Sequence, residues 1–181
     1  MRKVYYEGKS LGRILGKRKK NITKIEKALK CKIVLKKNKD ITIKAPSGKA
    51  VEEYLTEEIL EALALGFNVE TALLLQDTDY VLKVIDLKNY AHGSRLNTVI
   101  SRIIGKKGKA KRVIQELSHC HIIISGHKVG IIGKIESVEL ASQAIEKLIR
   151  GAPHSNVFKF LERSQEYLKE QERLTEELKS Y

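Results

Sequence analysis

Apolar and polar positions along the chain predict the same six elements twice. A short apolar strand opens each copy, at Val4–Tyr6 and at Tyr80–Ile85. A short apolar helical segment follows, ending at Ile14–Leu15 or at Ile103–Ile104, and a loop of glycine and lysine comes after it. The remaining periodicity predicts a second helix, two strands of the hairpin type and a longer helix. We therefore expect the order β-α-α-β-β-α in each copy.

The later elements have similar expected limits in both copies. The second helix is predicted over residues 20–30 and again over 109–118. The hairpin strands are predicted at Lys32–Lys36 with Ile41–Lys44, and at His121–Ser125 with Lys128–Ile132. Residues typical of turns join the two strands of each hairpin, at Lys37–Asn38 and at Ser125–Gly126. Ser47 and Ser137 are expected to cap the long helices. The first of these helices should place six residues on one face: Val51, Tyr54, Leu55, Ile59, Ala62 and Leu63.

The two copies are also related at the level of sequence. Arg13–Lys20 resembles Arg102–Lys109, which begins 89 positions later. Three more pairs match at this offset: Ile25 with Ile114, Cys31 with Cys120, and Ile33 with Ile122. After a shift of one residue, Ile41–Ile43 aligns with Ile131–Gly133. Matching blocks in the same order indicate an internal duplication.

This duplication predicts the domain organisation. We expect an α+β protein with a first module over residues 1–66, a linker over 67–79, a second module over 80–153 and a C-terminal helix over 154–181. The apolar content of the linker predicts that the two modules pack together. The C-terminal helix should carry one apolar stripe that comprises Val157, Phe160, Leu161, Tyr167, Leu168, Leu174 and Leu178.

The distribution of charge along the chain indicates the class of molecule that the protein binds. The 181 residues include 35 Lys and Arg against 22 Asp and Glu, a net charge of +13. Residues 1–49 carry a net charge of +14, residues 50–80 carry −8, and residues 81–134 carry +9. Two basic blocks within folded modules predict a polyanionic partner, which is either a nucleic acid or an anionic membrane surface.

Several classes are disfavoured. No apolar run approaches the roughly 18–20 residues that a membrane span requires, and the first seven residues hold no apolar run of signal-peptide length. Two cysteines form no disulfide framework, so we expect a reducing, cytoplasmic environment. They occur at equivalent strand starts, which suits small buried residues.

The loop Gly105–Gly108 is the strongest candidate site. Its two glycines allow a phosphodiester to approach the backbone, and the helix that follows offers free N–H groups. Eight residues are predicted to hold RNA here: Gly105, Lys106, Lys107 and Gly108, with charge added by Arg102, Lys109, Lys111 and Arg112. Ile104 is expected beside a groove for unstacked bases.

Ile-Ile-Gly-Lys-Lys-Gly within this element order resembles a type I KH domain, whose GXXG loop clamps single-stranded nucleic acid. The resemblance implies two KH domains. In the first copy Lys19 stands where the second glycine of the motif is expected, so the motif is degenerate. We expect a second, looser basic site there that comprises Gly16, Lys17, Arg18, Lys19 and Lys20.

A longer resemblance covers essentially the whole chain. Residues 79–87, the Gly105–Gly108 loop, the segment Leu148–His154 and Phe160–Glu162 are similar to the family of archaeal tandem-KH proteins, counterparts of the eukaryotic factor Partner of Nob. This resemblance implies binding to small-subunit rRNA near its 3′ end during ribosome assembly. It further implies association with a Nob-type endonuclease and with the alpha subunit of initiation factor two.

Alternatives remain at this level. The chain could be a KH protein that acts on mRNA or in translation, or a protein-interaction scaffold that works through its C-terminal helix. The Gly105–Gly108 loop could also be an ordinary turn with solvated lysines. His119, Cys120 and His121 lack the spacing of a metal site, because neighbouring strand residues point to opposite faces. We expect no metal, no cofactor and no catalytic activity.

Overall fold

The computed structural model describes residues 2–6, 8–16, 19–35, 40–44 and 50–179. By contact density the chain forms two compact units, Met1–Leu82 and Lys83–Tyr181. The predicted element order β-α-α-β-β-α is observed in each. Within the described ranges, no helix combines the length and the apolar content that crossing a bilayer requires.

The first copy begins at β1 (Arg2–Tyr5) and continues through α1 (Gly8–Leu15), α2 (Lys20–Leu29), β2 (Lys32–Leu35), β3 (Asp40–Lys44) and α3 (Ala50–Leu65). The segment that follows, which we predicted to be a linker, contains α4 (Val69–Leu73) and a 3-10 turn (Leu74–Gln76). Asn68 begins α4, since its side-chain oxygen accepts from the Thr71 N–H at 2.7 Å.

The second copy begins at β4 (Tyr80–Asp86), within which the boundary between the units falls. A 3-10 turn (Leu87–Asn89) leads to α5 (Gly93–Ile104), and another (Lys106–Gly108) joins it to α6 (Lys109–Ser118). The remaining elements are β5 (His121–Ser125), β6 (Lys128–Lys134), α7 (Ile135–Ile149) and α8 (His154–Lys179).

Each unit contains a three-stranded sheet of the same order. The strands are arranged β1-β3-β2 in the first and β4-β6-β5 in the second. The hairpins are antiparallel, with Ile33 opposite Ile43 and Ile122 opposite Ile131. The last strand of each copy, β3 or β6, is therefore central in its sheet. The strands β2 and β5 are edge strands beside α2 and α6. The turn predicted at Lys37–Asn38 lies outside the described residues.

Branched aliphatic side chains fill both cores. Fully buried examples in the first unit are Ile14, Ile25, Ile43, Ile59 and Leu63. Their counterparts in the second unit include Ile103, Ile114, Ile131, Ile145 and Leu148. Cys31 and Cys120 are buried and free, as expected for small core residues.

Two expectations about the long helices were wrong. Val51 and Tyr54 are 78% and 63% exposed, so the apolar face of α3 begins later than its periodicity indicates. Ser137 does not cap α7, which starts two residues earlier, after Lys134 in extended conformation. The strand β6 runs up to Lys134 and fixes this start. Ser47 lies outside the described residues.

The predicted stripe on α8 divides into two parts. Val157 and Leu161 are fully buried where the helix contacts α6 and α7. Farther along, Tyr167 and Leu178 are 63% and 77% exposed. The first half of α8 is therefore part of the second unit's core, because it covers apolar surface of α6 and α7.

We predict that Leu161→Ala lowers the free energy of unfolding by roughly 2–5 kcal/mol, because it leaves a cavity in this core. The exposed Leu178→Ala is the matched control and should change it by less than about 0.5 kcal/mol. Urea unfolding followed by circular dichroism measures both. Equal effects would show that the start of α8 does not pack on the second unit.

Candidate nucleic-acid interface

The loop between α5 and α6 has a backbone that glycine accommodates more easily than other residues do. Gly105 has φ 73° and ψ 174°, Lys107 has φ 52°, and Gly108 has φ 76°. The Gly105 N–H donates to the Ser101 carbonyl at 2.8 Å, and the Gly108 N–H donates to the Gly105 carbonyl at 3.1 Å. These bonds close a tight turn in which three of four residues have positive φ.

The two glycines have different reasons to be present. A Cβ at Gly105 would lie 2.6 Å from the Ala110 Cβ and 2.7 Å from its backbone nitrogen, so this glycine lets the loop touch the first turn of α6. A Cβ at Gly108 would meet no described atom within 4 Å. Gly108 therefore faces open space, where a ligand can approach the backbone.

Four cations project around this loop. Lys106, Lys107, Lys109 and Arg112 are exposed and line an open groove of about 560 Å³, together with Val113 and Glu116. The structure gives none of the four an ion pair with a described residue. No acidic residue lies in the first turn of α6, so the positive end of its dipole is uncompensated.

Lys111 lies on another side of α6. It is roughly 200° around the axis from Lys109, at 3.6 residues per turn. One turn farther, the Gln115 side-chain oxygen accepts from the Ile122 N–H of β5 at 3.2 Å. This stripe therefore faces the edge strand, and the half-buried Ile104 ends α5 nearby. The predicted residues thus divide between an outer basic groove and the side of α6 that faces β5.

The edge of β5 that this side of α6 faces is apolar. Ile123 and Ile124 are partly exposed on β5, and the Ile122 N–H points away from β6 toward Gln115. In an antiparallel edge strand, alternate residues direct their backbone groups outward, so the backbone groups of Ile124 also point to this edge. Gln115 was not predicted from the sequence; the repeat offset pairs it with Glu26, which makes the same contact to Ile33 in the first unit, at 2.8 Å.

Arg102 makes internal hydrogen bonds. Its guanidinium donates to the carbonyls of Leu148, at 3.2 Å, and Ala152, at 2.8 Å. The His154 Nε2 lies 2.8 Å from the Arg102 carbonyl, and Gly151 has φ 97°. The segment Arg150–His154 is therefore the turn that fastens α8 to the end of α5. That Arg102 also contacts RNA stays a prediction, and such a contact would compete with these bonds.

The described residues of the first unit repeat part of this geometry, with Lys19 at the position of Gly108. Gly16 has φ 65° and Lys19 has φ 59°, the values expected of equivalents of Gly105 and Gly108. The Gly16 N–H bonds the Gly12 carbonyl at 3.0 Å, and Arg13 donates to carbonyls of α3 as Arg102 does to α7. Lys19 and Lys20 are exposed. Lys17 and Arg18 lie outside the described residues.

The remaining candidates from the sequence are His119, Cys120 and His121. Burial raises the pKa of the Cys120 thiol to about 11, so it stays protonated near neutral pH. No group of three His, Cys, Asp or Glu side chains within the described ranges could hold a metal ion.

The loop geometry predicts unequal effects of two glycine substitutions. Gly105→Ala places a Cβ against backbone in a region that costs roughly 1–3 kcal/mol before the clash is counted. Gly108→Ala should cost only about 1–2 kcal/mol, because its surroundings are open and Lys19 adopts the same conformation. Urea unfolding measures the difference. A larger loss for Gly108→Ala would contradict the contact between Gly105 and Ala110.

Comparison with known families agrees with this geometry. The model of the eukaryotic-type KH domain (KH domain type I), in the form of the second KH domain of PNO1, matches residues 81–166. A KH domain-containing protein of Methanocaldococcus jannaschii is 36% identical over 163 residues, which cover 88% of this chain and 71% of the relative. The pre-rRNA-processing protein pno1 of Aspergillus fumigatus is 34% identical over 118 residues, covering 63% of this chain and 47% of that protein.

Solved structures are similar over nearly the full chain. A protein of unknown function from Aeropyrum pernix has a TM-score of 0.92 at 31% identity, covering 98% of this chain and 97% of the other. The structure described as an a/eIF2alpha–aDim2p–rRNA complex from Pyrococcus horikoshii has a TM-score of 0.83 at 30% identity, covering 91% and 93%. The chain belongs to the family of PNO1-type KH-domain proteins, as a counterpart of archaeal Dim2p and eukaryotic PNO1.

Proposed function

We propose that this protein binds single-stranded RNA during assembly of the small ribosomal subunit, near the 3′ end of the small-subunit rRNA. The observation that carries the proposal is the Gly105–Gly108 loop, where open backbone and unpaired cations meet at the start of a helix. The eukaryotic relatives are described as pre-rRNA-processing proteins. One structural relative is described in complex with rRNA.

The geometry suggests how the second unit would hold RNA. A phosphate would approach Gly108, which has no side chain, and its oxygens would accept hydrogen bonds from the N–H groups at the start of α6. Lys106 and Lys107 would neutralise this phosphate and its neighbours. The bases would then lie between Lys111 and β5, with Ile104 and Ile124 against their faces. Lys109 and Arg112 would extend the phosphate contacts along the outer groove.

The first unit is proposed to be a second KH domain, with the limits given above: domains at 1–66 and 80–153, a linker at 67–79 and a terminal helix at 154–181. The mutual packing of the two domains stays a prediction. The basic residues Gly16–Lys20 would add charge without placing bases, because Lys19 occupies the position of the open glycine.

We propose three partners in the cytoplasm. They are small-subunit rRNA, the Nob-type endonuclease, and the alpha subunit of initiation factor two. The description of the Pyrococcus complex, which names rRNA and a/eIF2alpha, supports the first and the third. The endonuclease follows from the family resemblance alone. RNA crosslinking in cells distinguishes this function from action on mRNA, since reads should concentrate at the 3′ end of the small-subunit rRNA rather than scatter over messages.

The first functional prediction concerns RNA structure. Single-stranded RNA should bind more tightly than a duplex of the same length, because a KH groove admits only unstacked bases. The logarithm of affinity should fall with the logarithm of salt concentration by roughly 0.7 per phosphate neutralised. Fluorescence anisotropy at several salt concentrations measures both. Equal binding of duplex RNA would contradict the groove, and metal-dependent cleavage of the RNA would contradict a non-catalytic role.

The second functional prediction separates the two loops. Replacing Lys106 and Lys107 by Asp removes two charge-assisted contacts, which are worth about 3–6 kcal/mol together, or roughly 10²- to 10⁴-fold in affinity. Discrimination between a cognate and a scrambled RNA should vanish. The matched control replaces Lys17 and Arg18 by Asp. This change should weaken the binding of all RNAs by a similar factor and preserve the preference for the cognate RNA. The reverse pattern would assign base reading to the first unit.

A further inference from the structure

The last turn of α5 is held by hydrogen bonds to the segment that leads into α8. The Arg102 guanidinium donates to the carbonyls of Leu148, at 3.2 Å, and Ala152, at 2.8 Å. The Arg102 carbonyl in turn lies 2.8 Å from His154 Nε2. Because a carbonyl oxygen can only accept, Nε2 carries the proton and donates it in this contact. We call these three hydrogen bonds the α5–α8 bridge.

The Arg102 carbonyl needs a donor from outside α5, because this helix ends two residues later. The last carbonyl groups of a helix have no partner within it. The Ser101 carbonyl still has one, since the Gly105 N–H donates to it at 2.8 Å. The next donor in sequence would be the Lys106 N–H, but Gly105, with φ 73° and ψ 174°, turns the chain out of the helix. The His154 side chain supplies the donor that the helix lacks.

The α5–α8 bridge acts on the backbone from which the Gly105–Gly108 loop starts. Gly105 is bonded to the residue before Arg102, and the Gly108 N–H donates to the Gly105 carbonyl at 3.1 Å. A shift in the last turn of α5 would therefore move Gly105 and then Gly108. The other side of the bridge is fixed in the core, because Val157 and Leu161 of α8 are fully buried.

The first unit makes only the arginine part of this arrangement. Its Arg13 donates to the carbonyls of Ala64 and Leu65, at 3.1 Å each. Three residues after the glycine that follows the long helix, the first unit has Val69 where the second has His154. A valine side chain has no N–H and cannot donate to the end of α1. The bond from the histidine therefore occurs in the copy whose loop has both glycines.

We propose that His154 is a positioning residue, whose bond to the Arg102 carbonyl holds the Gly105–Gly108 loop in the conformation that receives phosphates. This inference rests on the proposed binding of RNA by that loop. The His154 ring is half-buried and lies 6.0 Å from the Phe158 ring, centroid to centroid, so it acts through the backbone of α5. A loop that is already ordered binds more tightly, because binding then loses less conformational entropy.

The test compares three variants of the full chain in binding a single-stranded RNA octamer, followed by fluorescence anisotropy. His154→Ala removes the donor and should weaken binding by about three- to tenfold, the effect of one hydrogen bond. His154→Gln keeps a side-chain N–H and should restore the original affinity within about twofold. Leu161→Ala is the matched control, because it destabilises the core under α8 and leaves the bridge intact. It should not change the affinity at a temperature where circular dichroism shows every variant folded.

A second measurement follows the loop itself, without RNA. Amide hydrogen exchange reports how often a backbone hydrogen bond opens. Exchange at Gly105 and Gly108 should be faster in His154→Ala by about the factor that the affinity loses, and unchanged in His154→Gln and Leu161→Ala. A substitution that only lowered the stability of the second unit would not produce this pattern.

The two measurements distinguish failure of this proposal from failure of the proposed function. The proposal is overturned if His154→Ala leaves exchange at Gly105 unchanged, if His154→Gln binds the octamer as weakly as His154→Ala, or if Leu161→Ala weakens binding equally. An original protein that binds no single-stranded RNA would instead contradict the proposed function. Exchange at Gly105 and Gly108 would then still decide whether His154 holds the loop.

Discussion

The structure depends most on the tight turn between the two short helices of each copy. At Gly105 the chain approaches the first turn of α6 so closely that a methyl group would lie 2.7 Å from the Ala110 nitrogen. This contact fixes the angle at which α6 leaves the loop. That angle in turn places Gln115 against the edge strand β5 and leaves Gly108 facing solvent. The proposed phosphate clamp and the proposed base groove therefore both follow from one backbone approach.

The two copies share one backbone frame and differ in side chains beside the loop. Positive φ recurs at equivalent loop positions, and an arginine before each loop reaches carbonyl groups at the end of the long helix. The differences lie in three side chains, where Lys19, Ile22 and Glu26 replace Gly108, Lys111 and Gln115. The frame is kept by local geometry and long-range hydrogen bonds, so these three positions differ between the copies without changing it.

Sequence periodicity and the repeat offset predicted the element order and the loop, because both are local or recur in the chain. The role of Arg102 was not predictable, since its acceptors at Leu148 and Ala152 are 46 and 50 residues away. The start of α7 was misplaced because serine at a helix start is only a local preference, which the length of β6 overrides. The division of the basic residues between two sides of α6 could not be predicted, because it depends on which side of the helix faces β5.

The central claim is that the Gly105–Gly108 loop and the adjoining edge of β5 form the RNA site. Titration of the 15N-labelled protein with a single-stranded RNA, followed by amide chemical shifts, tests it most directly. The largest changes should occur at Gly105–Lys109 and at Ile122–Ile124, with smaller ones at Lys19 and Lys20. Changes confined to α7 and α8, with the loop amides unmoved, would contradict it.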